Sequence, residues 1–257
     1  MIITTAGRTN QEMKESAKRI AAELGAEYID RNKRSVGAIQ KQVRDDCIVV
    51  GKERLELFPL GENQPFFFHP NSAMFRIKRL LKGESDPFLQ AACLERGKSM
   101  LDCTLGLASD SIVASYTVGR EGEVTGLEGN RYLAYLVGKG LGQWESGLES
   151  MDHAMRRIHV KSSNSFPYLK MLPDNIYDVV YFDPMFEENI LESDGIKALS
   201  RFAVYADLSE ELIFQAKRVA KERVVLKDHF RSSRFEQYGF SVNKRKTSKF
   251  HFGVIEK

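Results

Sequence analysis

Apolar residues recur along this chain in two rhythms, one near period two and one near 3.6, and their alternation predicts the elements. Ile2-Ile3-Thr4-Thr5 reads as a short strand. Met13, Ala17, Ile20, Ala21 and Leu24 keep helical spacing behind a cap at Thr9 or Asn10, and Gly25 stops the helix. Tyr28-Ile29, Cys47-Ile48-Val49-Val50 and Leu55-Glu56-Leu57-Phe58 read as strands, with a short helix from Val36 to Gln40. Pro59, Gly61 and Pro65 punctuate the end of this small α/β unit. A helix capped by Asn71 or Ser72 then runs through Met74, Ile77, Leu80 and Leu81 to Gly83. Another begins at Pro87, whose fixed φ suits a first helical position.

From Lys98 strands and helices alternate, which predicts a doubly wound, mostly parallel sheet with helices on both faces. The strands fall at 99–103, 123–128, 157–160, 177–182 and 223–227. Helices fall at 108–118, 130–142, around Met151 to Met155, and at 208–220 after a long insertion, 184–204. Residues 240–242 and 250–255 close the chain as an antiparallel pair. The expected organisation is a small N-terminal α/β domain over 1–65, a helical bridge over 66–97 that forms one wall of the pocket, and a Rossmann-like α/β domain over 98–257.

Composition narrows the picture only slightly. No run approaches the roughly 18–20 apolar residues of a membrane span. The start MIITTAGRTNQEMK turns polar too soon for a secretory signal. Cys47, Cys93 and Cys103 have no paired spacing and read as reduced thiols, so the expected setting is the cytoplasm. The five histidines are scattered without metal-ligand spacing, and no metal is expected. His69, in the bridging FFFHP segment, is placed to line the cofactor pocket. A net charge of +3 permits nucleic acid as a partner without requiring it. Arg31-Asn32-Lys33-Arg34 and Asn243-Lys244-Arg245-Lys246 with Lys249 are local basic clusters; each by itself also reads as a strand edge protected by lysines.

Candidate chemistry sits where predicted strands end. In a doubly wound sheet, ligands bind beyond the carboxyl ends of the strands, near the first strand-to-helix turn. That turn is Asp102-Cys103-Thr104-Leu105-Gly106-Leu107-Ala108-Ser109-Asp110. Gly106 lets the backbone approach a cofactor, with Asp102 and Thr104 supplying polar groups beside it. A single glycine is not the G-x-G-x-x-G cradle of NAD or FAD. Glu128 ends the second strand, where an acid can accept hydrogen bonds from both ribose hydroxyls of NAD or S-adenosylmethionine. Asn164, past the third strand, can accept from an adenine amino group or can cap a helix before Phe166. Past the fourth strand comes Asp183-Pro184-Met185-Phe186: a carboxylate and a neighbouring carbonyl to accept from an amine, and a ring to stack on its plane.

With these segments in register, the chain resembles class I S-adenosylmethionine-dependent methyltransferases. Within them it is similar to the small-subunit ribosomal RNA methyltransferase J family, which methylates the exocyclic amine of a guanine. The residues that carry the likeness are DCTLGLASD (102–110), LEGN (127–130), VVYFDPMF (179–186), Lys197 and ERVVLKD (222–228), and it covers roughly 98–257. The sequence departs from the family pattern at Ala108 for a second glycine, Gly129 for an arginine, Asn164 for an Asp and Asp228 for a basic residue.

The resemblance implies S-adenosyl-L-methionine as cofactor, held by Asp102, Thr104, Gly106, Asp110, Glu128 and Asn164. It implies Asp183, Pro184 and Phe186 as catalytic residues. Met185, Lys197 and Lys227 would contact the substrate, an RNA base in rRNA or a ribosomal subunit. Arg76 is a further candidate for RNA contact. The other readings of the same residues are a methyltransferase for a small molecule or protein, and a non-catalytic RNA-binding assembly factor on the same scaffold.

Overall fold

The run from 177 to 182 carries six residues of strand-forming character with one acid, and it becomes a strand buried on both faces. A computed structural model describes residues 1–184, 208–245 and 248–257. Met185, Phe186, Lys197 and all but the first residue of the expected insertion lie outside them.

The chain divides into two units, with the boundary between His69 and Pro70. In the first, β1 (Ile2–Thr5), α1 (Gln11–Leu24), β2 (Glu27–Tyr28), α2 (Val36–Val43), β3 (Cys47–Val50) and β4 (Leu55–Phe58) follow one another. The sheet order is β2-β1-β3-β4, parallel except for β4. Local signals set these bounds: the Asn10 side chain accepts from the Met13 N–H, and Gly25 ends α1 in the left-handed conformation.

The second unit begins with α3 (Asn71–Leu80) and α4 (Pro87–Ala92). The expected Asn or Ser cap of α3 is absent, since Pro70 holds the cap position and no side chain bonds there. The sheet strands are β5 (Ser99–Asp102), β6 (Glu123–Glu128), β7 (Ile158–Ser162), β8 (Tyr177–Phe182), β9 (Ala220–His229), β10 (Ser241–Asn243) and β11 (Phe250–Glu256). Between them lie α5 (Ser109–Val118), α6 (Arg131–Gln143), α7 (Glu149–Arg156), α8 (Ser165–Met171) and the helices Glu210–Val219 and Arg234–Gln237. The order β10-β11-β9-β8-β5-β6-β7 places β5 and β8 at the centre, where near-continuous apolar sequence is required on both faces. Val179, Val180, Tyr181 and Phe182 meet that requirement, each 1% exposed or less, with full burial of such apolar side chains worth roughly 1.5–3 kcal/mol apiece.

Strands β5 to β9 are parallel, and β11 inserts antiparallel between β9 and β10. Its pairing, from Phe250 opposite His229 to Glu256 opposite Arg223, explains why β9 is longer than the expected 223–227. Helix α8 was foreshadowed only by the alternative in which Asn164 caps a helix before Phe166: with only Ser165 and Leu169 buried it is too short to show a period. Helix α5 is buried nearly all round, Asp110, Ser111 and Ser115 included, because it packs against α3, α7 and the sheet. Among the described residues no helix is long and apolar enough to cross a membrane.

Candidate active site

The sheet order reverses between β5 and β8, and the polar side chains gather at the carboxyl edge beside that switch point. Asp102 closes β5, Glu128 closes β6, Asp183 follows β8, and Lys227 lies near the end of β9.

The turn after β5 is built around the Asp102 carboxylate, which is 2% exposed. It accepts from the Thr104 N–H at 3.0 Å and from the Ser111 hydroxyl at 2.6 Å. Burial pushes its pKa up to about 7, against the opposing pull of those two bonds. Thr104 in turn accepts, through Oγ1, the backbone N–H of Asp183 at 2.6 Å. One hydroxyl thus joins the turn after β5 to the residue after β8. Gly106 has φ +48°, and a side chain there would meet nothing nearer than the Thr104 carbonyl oxygen at 3.8 Å. Ala108 takes φ +61° without being glycine, a strain of roughly 1–2 kcal/mol that the surrounding packing holds in place. Gly126 on β6 is needed for a different reason: a Cβ there would stand 2.3 Å from Leu105 Cδ1, whose side chain crosses the strand.

Glu128 is 7% exposed, and burial raises its pKa. Backbone N–H groups of Asn130, Gly106 and Gly129 oppose the rise, with Asn130 at 2.9 Å. Its carboxylate and the open backbone at Gly106 therefore lie side by side. A carboxylate acceptor for ribose hydroxyls, an approachable glycine backbone and no pyrophosphate cradle are a donor set that fits S-adenosylmethionine. Asn164 stands at the cap position of α8 but makes no capping bond with its side chain.

Below this edge lies a charge network. Lys227 Nζ is 2.6 Å from Asp183 Oδ2 and 3.2 Å from Asp110 Oδ2. Asp110 also receives the Tyr181 hydroxyl at 2.9 Å and Arg76 Nη1 at 2.5 Å. Arg76 makes two further bonds to Asp86, at 2.7 and 2.9 Å. Burial opposes ionisation of Asp110, yet the Lys227 and Arg76 charges outweigh it and hold the carboxyl well below its usual range. Asp183 is 28% exposed at its side chain. Crowding by surrounding atoms pushes it up to about 6, with Lys227 pulling down and Asp110 pushing further up. Lys227 stays protonated: its burial is overridden by Asp110 and Asp183. Three carboxylates (Asp86, Asp110, Asp183) thus face two cations (Arg76, Lys227), and Asp183, paired with Lys227, is the most exposed of the five.

The structure therefore brings together Asp102, Thr104, Asp110, Asp183 and Lys227, and sets Gly106 against Glu128. Sequence reasoning offered Arg76 and Lys227 as RNA contacts; in the structure both are bonded to carboxylates of the protein. Tyr181, Ser111 and Asp86 were not anticipated. Only the polar hydroxyl of Tyr181 within an apolar run could have drawn notice.

Comparison with known proteins agrees with this geometry. The family described as "Putative SAM-dependent methyltransferase" matches residues 33–252. Bacillus subtilis (strain 168) has a relative, "Uncharacterized protein YpiP", 51% identical over 255 residues and covering 99% of each chain. Ribosomal RNA small subunit methyltransferase J of Buchnera aphidicola subsp. Schizaphis graminum (strain Sg) is 32% identical over 132 residues, 50% of this chain and 51% of its own. In fold, the SAM-dependent methyltransferase NGO1261 of Neisseria gonorrhoeae superposes with a TM-score of 0.64 at 18% identity, covering 100% of this chain and 96% of that one. A match across most of the chain, over a sheet of this order, leaves one assignment: the chain belongs to the SAM-dependent methyltransferase family, enzymes that draw their methyl group from S-adenosylmethionine.

Proposed function

We propose that this enzyme methylates an exocyclic amine of a nucleobase in RNA, with a guanine of small-subunit ribosomal RNA as the target. The observation that carries the reading is the 2.6 Å bond from the Asp183 N–H to Thr104 Oγ1, which fixes the amine grip against the cofactor turn. The likeness to ribosomal RNA small subunit methyltransferase J, over half of each chain, supports the choice of substrate.

In this reading Asp102, Thr104, Gly106, Asp110, Glu128 and Asn164 build the cofactor site. Glu128 accepts the ribose hydroxyls, Gly106 leaves room for the cofactor, Asn164 accepts from the adenine amine, and Asp102, Thr104 and Asp110 hold the turn in shape. S-adenosylmethionine supplies a methyl group already activated on a sulfonium. What the protein adds is alignment, which can contribute on the order of 7–11 kcal/mol. An exocyclic amine is a weak nucleophile because its lone pair is delocalised into the ring. The Asp183 carboxylate and the Pro184 carbonyl accept its two hydrogens and turn the lone pair toward the methyl group. As the N–C bond forms, positive charge grows on nitrogen, and the Asp183 carboxylate stabilises it. The nitrogen then loses its extra proton to water, so no further base is needed. Phe186 stacks on the base, worth roughly 1–3 kcal/mol, and Met185 and Lys197 complete the substrate contacts. The target nucleotide has to be unpaired or flipped out to reach this site.

The test is transfer of labelled methyl from S-adenosylmethionine to total RNA and to small-molecule pools from a strain lacking the protein, with the product nucleoside identified. A base methylated on its exocyclic amine is expected. Asp183→Ala should abolish transfer, a loss of about 100-fold or more, while leaving cofactor binding within about twofold of wild type. A methylated ribose or ring carbon, or transfer confined to small molecules, would sink the reading.

A further inference from the structure

Beyond the amine grip, the antiparallel pairing of β9 with β11 gathers aromatic and cationic side chains from both faces of the strand pair at the carboxyl edge of the sheet, where Asp183 also lies. The group includes Lys227, whose Nζ is bonded to Asp183 and lies 5.0 Å from the centre of the Phe250 ring. Phe250 is half-buried, pinned edge-on by Phe252 at 5.8 Å, and has the Arg245 guanidinium 5.4 Å from its centre. Across the strand pair Phe250 stands opposite His229, and the next residue, Phe230, is 42% exposed. Its backbone N–H is tied to the Lys249 carbonyl at 3.1 Å, and its ring packs against His229 at 4.6 Å and His251 at 6.2 Å. The Arg231 guanidinium lies 5.0 Å from the Phe230 ring centre.

Charge in this group is one-sided. Within 227–234 and the described part of 244–251, Asp228 is the single carboxylate; it is buried and bonded to Ser232 and Arg234. Arg231, Lys244 and Lys249 are exposed, and none has a carboxylate partner among the described residues. A lone exposed Phe would need no explanation. An exposed Phe packed against two histidines, among unpaired cations and at the same carboxyl edge of the sheet as Asp183, has the makeup of a surface for unstacked bases and their phosphates. Base faces stack on rings, and the adjoining guanidinium and ammonium groups take the backbone charge.

We propose that this strip, Phe230 and Phe250 with Arg231, Arg245 and Lys249, binds the single-stranded nucleotides that flank the target base. The inference rests on the RNA reading of the active site and adds to it where the rest of the strand lies. It also accounts for how a flipped target is held, since a strand already stacked on the strip has given up its pairing before the base reaches Asp183.

The experiment measures binding of a fluorescently labelled single-stranded oligoribonucleotide of mixed sequence, and of its duplex, to the full chain saturated with S-adenosylmethionine. Wild type should bind the single strand more tightly. Phe230→Ala should weaken that binding roughly 5- to 100-fold, and Phe230→Trp should restore it. The double variant Arg231→Ala, Arg245→Ala should lower the slope of log affinity against log salt by about 0.7 for each phosphate it no longer neutralises. Phe214→Ala, which removes a 63%-exposed Phe from the helix Glu210–Val219, serves as control and should change nothing. Thermal melts of each variant verify folding. Equal binding by wild type and Phe230→Ala, an unchanged salt slope, or no binding of single-stranded RNA by wild type would each overturn the strip. Methyl transfer separates the two ideas. If wild type methylates RNA and Phe230→Ala has an unchanged KM, the strip fails and the active-site reading stands. If RNA is no substrate, that reading fails, and the binding data still decide the strip.

Discussion

Replacing Lys227 by Met removes the ammonium that touches Asp183 while keeping most of the side-chain volume. At 2.6 Å, an effective dielectric of ~20 gives an attraction of about 6 kcal/mol. Desolvation of the buried ammonium and solvent at the partly exposed Asp183 offset much of it, leaving a net of roughly 2–3 kcal/mol, in line with charged hydrogen bonds. Asp110 would keep Arg76 at 2.5 Å and Tyr181 at 2.9 Å, so it stays ionised and goes on repelling charge at Asp183. In the proposed mechanism methyl transfer uses the Asp183 carboxylate, whose pKa is raised to about 6, so activity should be present above that pH and lost as pH falls through it. Without Lys227 the same limb should move to about pH 8, because 1.36 kcal/mol corresponds to one pH unit. At pH 7 the ionised fraction then falls from about nine-tenths to about one-tenth, a roughly tenfold loss of kcat/KM. The assay is the pH profile of methyl transfer between pH 5 and 9, with cofactor affinity measured in parallel. Lys227→Arg should keep the wild-type limb. An unshifted limb in Lys227→Met, or a rate that does not recover at high pH, would refute the role given to this ion pair.

Glu128→Ala removes a buried acceptor beside Gly106 and should weaken S-adenosylmethionine binding roughly 10- to 150-fold by calorimetry; unchanged affinity would displace Glu128 from the cofactor site. Arg76→Ala strips both bonds from Asp86 and one from Asp110, which should cost about 3–5 kcal/mol. At roughly 2–4 °C per kcal/mol for a protein of this size, the thermal midpoint should drop by about 6–20 °C. A fall of less than about 2 °C would mean the two carboxylates find other partners.

The ends of most elements were legible because they depend on neighbours in sequence. Asn10 bonds the Met13 N–H three residues on, Gly25 supplies a left-handed stop, and Pro87 opens α4 behind Asp86. The buried strand β8 announced itself through the apolar run 179–182, since a central parallel strand has no solvent face. Candidate site residues were legible for a related reason. Once the sheet is expected to be doubly wound, ligands belong at the carboxyl ends of its strands, and Asp102, Glu128 and Asp183 stand there.

The network beneath them was not legible. Arg76 and Asp110 are 34 residues apart, Lys227 and Asp183 are 44, and Lys227 and Asp110 are 117. No local pattern marks such pairs, because a long flexible cation goes to whichever carboxylate the packed elements bring within reach. The insertion of β11 between β9 and β10 is of the same kind. Either edge of a hairpin could have joined the sheet, and the pairing that buries β9 on both sides won. Sequence by itself determined the elements, the fold class and the residue types at each strand end, since those follow from burial and backbone geometry over a few residues. The tertiary structure alone decided which charges meet, and therefore that Asp183 pairs with Lys227 as the most exposed carboxylate of the network.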